Sequence, residues 1–235
     1  MRLAVIPARG GSKRIPRKNV KAFNGKPMIV WSVEAALDSG CFDRVIVSTD
    51  DDEIMRIASA AGAEAPFRRP DELANDFVAT VPVIAHAINW FAEQGEIVDE
   101  VCCLYATAPF VDRDDLRKGL ETLVTGRFDF VVPVTTFPFP IQRALKLDEA
   151  GRASMVDPSF YGTRSQDLEE RFHDVGQFYW GQARSWTTFE SVYTAQTGVI
   201  EVPRYRVQDI DTLEDWTRAE LMHQALAISQ EEAGR

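Results

Sequence analysis

Residues 1–19 read MRLAVIPARGGSKRIPRKN. The short apolar run at 2–7 has the pattern of a buried strand, and at Ala8 the chain breaks into a loop, 8–19, carrying two glycines, a serine and five cations. Gly10 and Gly11 let backbone N–H groups approach a ligand with no Cβ in the way. Ser12 adds a hydroxyl donor, and Arg9, Lys13 and Lys18 add charge-assisted donors suited to phosphate oxygens. Pro16 restricts the backbone and sets the direction of residues 17–19, keeping Lys18 and Asn19 turned toward the loop. The six basic residues from Arg9 to Lys21 have no acidic neighbour among them, so they repel one another unless an anion compensates. The expected ligand is a polyphosphate, the bland alternative a solvated basic turn. The loop is neither G-x-x-x-x-G-K-S/T nor G-x-G-x-x-G, which excludes a P-loop ATPase and a dinucleotide dehydrogenase on motif grounds.

Working outward, short β-branched runs alternate with segments of helical period, the signature of a mainly parallel sheet with helices on both faces. Pro27 opens a helix with Ile29, Val33, Ala36 and Leu37 at helical spacing and Gly40 at its end. Residues 45–48 are a strand, followed by acidic residues 50–52 and a helix stopped by Gly62. Residues 67–76 are loop, and Val81, Ile84, Ile88 and Phe91 form one helical stripe. Strands follow at 101–105 and 128–135 around a helix at 112–125. From 137 to 181 the alternation breaks down among Pro138, Pro140 and aromatic residues, so an inserted, hairpin-rich subdomain is expected there. That division leaves 1–136 and 182–235 as the α/β nucleotide-binding domain. Further strands are expected at 199–202 and 207–210, then a last helix from Leu213 to about Ile228.

At 235 residues the chain can bury a full core. Its 26 basic and 36 acidic residues give a formal net charge of −10, which argues against nucleic acid or anionic lipid as partners and requires a locally basic site for any anion. All eight cations before Glu34 precede the first acidic residue, which places that site near the N-terminus. Three cysteines, two of them adjacent in an apolar run, speak against a disulfide framework and for a reducing, cytoplasmic setting. No leader is read in the opening residues, and no run approaches the ~18 uncharged apolar residues that span a bilayer.

IPARGGSKRIPRKN at 6–19 resembles the N-terminal signature of the acylneuraminate cytidylyltransferases, which make CMP-activated nonulosonic acids from CTP. IVSTDDDEI at 46–54, RRPDELAND at 68–76 and VQDIDTLEDW at 207–216 extend the resemblance over nearly the whole chain. Within the family, FPFPIQRAL at 137–145 and TRSQDLEERFHDVGQFYWG at 163–181 look most like the pseudaminic acid branch. The resemblance implies a Rossmann-like nucleotidyltransferase fold with an inserted dimerisation and sugar-recognition subdomain, and a homodimer in which that insertion reaches the partner's site.

Carried over residue by residue, the resemblance assigns Arg9, Ser12 and Lys13 to the triphosphate, Lys18 and Asn19 to the phosphates and cytidine, and Arg69 to the triphosphate side. Thr80 matches a nucleotide-recognising hydroxyl, although a first-turn helix residue is an equally good reading. Asp209 and Asp211 match the family's metal-binding pair, implying Mg²⁺ as cofactor. In an extended segment residues two apart project to one side, so both carboxylates can reach one hard cation; turn and cap acceptors are the alternative. Thr212 and Asp215 have capping-box spacing.

Where sialic acid enzymes carry a Gln in Leu-Gln-Pro-Thr-Ser-Pro, this chain reads LYATAPF, with Tyr105 and Ala106 at the Gln and Pro positions. Arg164, Gln166, His173, Asp174, Gln177, Phe178 and Tyr179 fall where the family recognises its acid sugar, and Arg164 or Arg143 would face the carboxylate. His173 reads equally as an exposed turn residue. The implied reaction is attack of the sugar's anomeric hydroxyl on the α-phosphorus of CTP, with Lys13, Lys18 and Asp211 at its centre. Sialic or legionaminic acid as substrate, and a noncatalytic nucleotide-sugar sensor, remain as alternatives.

Overall fold

The computed structural model describes residues 1–194 and 196–233, with side chains described through Ser229. The strands are β1 (Arg2–Pro7), β2 (Ala22–Phe23), β3 (Lys26–Pro27), β4 (Arg44–Ser48), β5 (Glu100–Leu104), β6 (Phe130–Thr136), β7 (Leu145–Leu147), β8 (Ala153–Met155), β9 (Phe172–Asp174), β10 (Phe178–Gln182) and β11 (Thr197–Glu201). The helices are α1 (Met28–Ser39), α2 (Asp52–Ala60), α3 (Thr80–Glu93), α4 (Arg113–Gly126), α5 (Ala183–Thr188) and α6 (Leu213–Ala233). The central sheet runs β11-β6-β10-β5-β1-β4, with β9 also paired to β6. β4, β1, β5, β6 and β11 are parallel; β10 lies antiparallel between β5 and β6.

Each strand divides its side chains between two cores. Ala4, Ile6, Val45, Val47, Cys102 and Leu104 pack under α1, α2 and α4. Leu3, Val5, Ile46, Val101 and Cys103 face α3 and α5 on the other side. The chain leaves β1 toward β4 over one face and reaches β5, on β1's other side, over the opposite face. The switch point therefore falls between β1 and β5, where ligands bind in open α/β sheets.

Turn and cap chemistry sets the helix limits. Gly40 ends α1 at φ 65, and Gly62 turns the chain after α2 at φ 98. Asp51 caps α2, accepting from the amides of Glu53 and Ile54. The Thr212–Asp215 capping box forms in both directions and starts α6.

Two expectations change. Residues 207–210 are not a strand: the segment passes from a 3₁₀ turn at Arg204–Arg206 to α6 unpaired with the sheet, because Ile210 is buried beneath α6 with Ile15, Phe23, Phe110 and Trp216. The segment 137–181 is not wholly outside the sheet either. β9 pairs with β6, and Phe178, Tyr179 and Trp180 of β10 alternate between the two cores. What leaves the sheet is 137–171, carrying the β7–β8 hairpin. Among the described residues no helix is long and apolar enough to cross a membrane.

Replacing Ile210, 2% exposed, by Ala should lower the free energy of urea unfolding by about 2–5 kcal/mol. Ile97→Ala, at a residue 78% exposed, should stay within about 0.5 kcal/mol of the parent protein.

Candidate active site

The loop at 8–19 leaves the C-terminal end of β1 at the switch point. The Ala8 amide donates to the Ser48 carbonyl at 2.9 Å, so the loop starts in register with β4. The Gly10 amide donates to Asp50 at 3.0 Å, and a Cβ on Gly10 would lie 2.7 Å from the Asp51 carboxylate, so only glycine fits. A Cβ on Gly11 would meet open space. Asn19 is buried, and its Nδ2 donates to the Arg9 carbonyl at 2.9 Å, tying the two ends of the loop together. Ile15, fully buried, plugs the middle of the loop into the cluster that also holds Ile210.

The loop's cations are balanced by carboxylates from distant parts of the chain, where the sequence pointed to a bound anion alone. Arg17, at φ 55, turns away onto the start of α2 and binds Asp51 at 2.5 Å and 3.1 Å, with Glu53 beside it. Arg9 and Lys13 both pair with Asp76. Arg14 pairs with Asp211, and Lys18 lies 3.6 Å from it. Burial lowers the Lys18 pKa, opposed by the charges of Asp211 and Asp209.

Arg69 differs from these. It is 4% exposed, its Nε donates to Ser48 Oγ at 3.1 Å, and among the described residues it forms no ion pair. Desolvation pulls its pKa down to about 10. A buried guanidinium with only neutral partners is stabilised by an anionic ligand.

Two adjoining clefts open here. The first, about 280 Å³, is lined by Arg9, Ser12, Lys13, Asn19, Arg69 and Thr80. The second, about 390 Å³, is lined by Asp174, Gln177, Tyr179, Gln208 and Asp209. Arg14, Lys18, Tyr105, Thr107 and Asp211 line both and form the boundary. Lys13 and Asp211 thus face one cavity. Thr80 opens α3 and its Oγ1 lies 3.0 Å from the Tyr105 hydroxyl, so it positions the tyrosine that stands at the boundary. Burial raises the Tyr105 phenol to about 12 and Tyr179 higher still, so both are protonated at neutral pH.

Of the residues expected at the sugar, Tyr105, Gln177 and Tyr179 wall the second cleft. Arg143, Arg164 and Gln166 line neither cleft: Arg143 donates to the Thr163 carbonyl, Arg164 pairs with Asp167, and all three are exposed on the insertion. His173 packs on Phe137 at 4.9 Å and bonds the Asp174 carbonyl, also outside the linings. The sequence reading passed over Asp76, Thr107 and Tyr193, while Asp174 of the expected sugar segment lines the second cleft and accepts from the Tyr193 hydroxyl. Asp76 stood in the quoted 68–76 motif, but nothing in its spacing tied it to Arg9 and Lys13.

Clustered cations at the switch point of a parallel sheet define a nucleotide-binding α/β protein. Residues 3–156 match the family model described as Cytidylyltransferase. The chain belongs to the cytidylyltransferase family. It is 43% identical over 221 residues, 94% of this chain and 95% of the relative, to the pseudaminic acid cytidylyltransferase of Campylobacter jejuni. It is 32% identical over 226 residues, 93% of this chain and 94% of the relative, to the CMP-N,N'-diacetyllegionaminic acid synthase of Legionella pneumophila. A solved CMP:2-keto-3-deoxy-manno-octonic acid synthetase complexed with CTP shares the fold, with a TM-score of 0.69 over 95% of this chain and 99% of that one at 18% identity.

Arg17 holds the Asp51 pKa at about 2, against an ordinary 3.8. A depressed carboxylate contributes stability that is present above its unfolded value and lost as pH falls through the folded one. The stability difference between the parent protein and Asp51→Asn should therefore be constant above about pH 5 and shrink between about pH 4 and pH 2, read by urea unfolding at each pH. A difference independent of pH would remove the Arg17–Asp51 assignment.

Proposed function

We propose that the protein transfers CMP from CTP to a nonulosonic acid, pseudaminic acid in the first place, with release of pyrophosphate. The observation that carries this reading is the shared boundary of the two clefts. A triphosphate among Arg9, Lys13 and Arg69 and an acid sugar against Gln177 and Tyr179 would meet at Lys18, Tyr105 and Asp211. The anomeric hydroxyl oxygen attacks the α-phosphorus, the new P–O bond forms as the bond to the pyrophosphate oxygen breaks, and the hydroxyl proton is lost. Positioning and charge neutralisation account for such a transfer without a covalent nucleophile. Cys102 and Cys103 are fully buried, and burial raises both thiols, which keeps them out of the chemistry.

Asp209 and Asp211 would hold Mg²⁺. Among the described residues no group of three or more His, Cys, Asp or Glu could hold a metal ion, so the reading rests on this two-carboxylate pair. That small oxygen donor set suits Mg²⁺, which takes one or two carboxylates and completes its shell with water and substrate phosphates. When bound, the ion would neutralise charge on the phosphates. The protein's own part is to set Asp209 and Asp211, either side of the buried Ile210, in the lining of the second cleft and to keep Arg14 and Lys18 beside Asp211, where they would exchange that carboxylate for phosphate oxygens.

The exposed apolar residues of the insertion, Phe139 at 80% and Tyr161 at 85%, support a homodimer formed there. Free, buried cysteines suit the reducing cytoplasm, where CTP is made. The legionaminic acid relative keeps that sugar as a second reading of the substrate.

The test is pyrophosphate release from CTP and Mg²⁺ with a panel of nonulosonic acids. Pseudaminic acid should give the highest kcat/KM; CTP binding without turnover on any acid sugar would favour a sensor and overturn the transferase. Asp211→Asn should lower kcat by about 100-fold or more, with CD and thermal melting showing an intact fold. Near-normal Mg²⁺-dependent turnover in that variant would remove the metal assignment.

A further inference from the structure

Gln177 lies between β9 and β10 in the wall of the second cleft and is 5% exposed. Its backbone carbonyl accepts from the Tyr105 amide at 2.9 Å, and its Nε2 donates to the Arg206 carbonyl at 2.7 Å. A carbonyl can only accept, so this contact fixes which end of the amide is which. Arg206 is itself anchored, its guanidinium 2.6 Å from Asp115 on α4. The other end of the amide, Oε1, is buried and has no hydrogen-bond partner among the described residues. A buried acceptor left unpaired is costly, and one held so firmly in the wall of a cleft marks a place where a ligand donates.

The surroundings narrow the ligand group. Asp174 Oδ1 accepts from the Gly176 amide at 2.8 Å, and Oδ2 accepts from the hydroxyls of Tyr179 at 2.5 Å and Tyr193 at 2.8 Å. The phenol protons of Tyr179 and Tyr193 are thereby used on Asp174 and are not offered to a ligand at Gln177. An amide N–H has no lone pairs to satisfy, and its acyl group can rest on the apolar side chains of Val175 and Ala108 in the same lining.

We propose that Gln177 is a specificity-determining residue of this site: its Oε1 accepts a hydrogen bond from the N–H of an acylamino substituent on the acid sugar. The proposal rests on the cytidylyl transfer described above and names the sugar group that the second cleft reads. A site built around a buried acceptor discriminates strongly against ligands that lack the matching donor.

The experiment compares the parent protein, Gln177→Met and Gln177→Glu in pyrophosphate release from saturating CTP. The probes are a diacetamido nonulosonic acid and a hydroxyl-only acid sugar, each read as substrate or as competitive inhibitor. Gln177→Met should lower kcat/KM for the diacetamido sugar by about 10- to 100-fold while the KM for CTP is unchanged. Gln177→Glu keeps an oxygen acceptor but loses the donor to the Arg206 carbonyl, so it should be impaired on both sugars through loss of that anchor. The hydroxyl-only sugar should be affected less than the diacetamido sugar by the Met substitution. Wild-type kcat/KM in the Met variant, equal losses on both sugars in that variant, or a rise in its KM for CTP would each overturn the assignment. A parent protein that turns over no acid sugar overturns the proposed transferase and this inference with it. Normal turnover by the parent and both variants sinks the role of Gln177 alone.

Discussion

One apolar contact holds this site together. Ile15 in the basic loop, Phe110 after β5 and Ile210 before α6 are buried in a single cluster that also contains Phe23, Met28, Trp216 and Ala219. Each lies within a few residues of polar groups facing the clefts: Lys13 and Lys18 flank Ile15, Thr107 precedes Phe110, and Asp209 and Asp211 flank Ile210. Three loops that meet nowhere else in the sequence are thus pinned by hydrophobic burial at the spot where opposite charges converge. Lys21, 3.9 Å from the centre of the Trp216 ring, adds a cation–π contact between the basic segment and α6. Electrostatics alone would not fix this geometry, because exposed ion pairs are weak and screened.

With that frame fixed, the charges can be arranged for exchange. Arg9 and Lys13 share Asp76, and Arg14 and Lys18 share Asp211. These carboxylates keep the cations from repelling one another and hold them near the positions that phosphate oxygens would fill. Arg17 has a different part, since its bond to Asp51 secures the loop to α2 and faces away from the clefts. Arg69 completes the set as the cation without a carboxylate, so a polyanion would find one uncompensated charge and several exchangeable ones.

The parallel sheet, the helices and the loop at 8–19 were legible because each rests on local rules: β-branched runs, helical stripes and glycine stops. The capping box at Thr212 was legible for the same reason. The misassigned strand at 207–210 shows the limit of such reading. Residues 207–210 were read as a short strand, yet Ile210 is buried against α6 and the basic loop, contacts no local rule encodes. β10 was missed because an antiparallel strand returning from an excursion carries no signal of which neighbours it will join. The partners of the cations were hidden too, since Asp76 and Asp211 lie 67 and 197 residues from Arg9 and Arg14. Arg143, Arg164 and Gln166 came from a resemblance, and within one chain they face their own insertion.

The excursion at 137–171 leaves from the end of β6 and returns through β9, which pairs with β6. Its two ends therefore lie side by side on the same strand. A segment hung in this way can lengthen, shorten or change its surface without shifting the register of any strand in the sheet or disturbing the loops at 8–19 and 105–111. The architecture separates the sheet and the loops that line the first cleft from this excursion, so exchange of the excursion between related chains is a modular graft, with two neighbouring junctions and no repacking of the core.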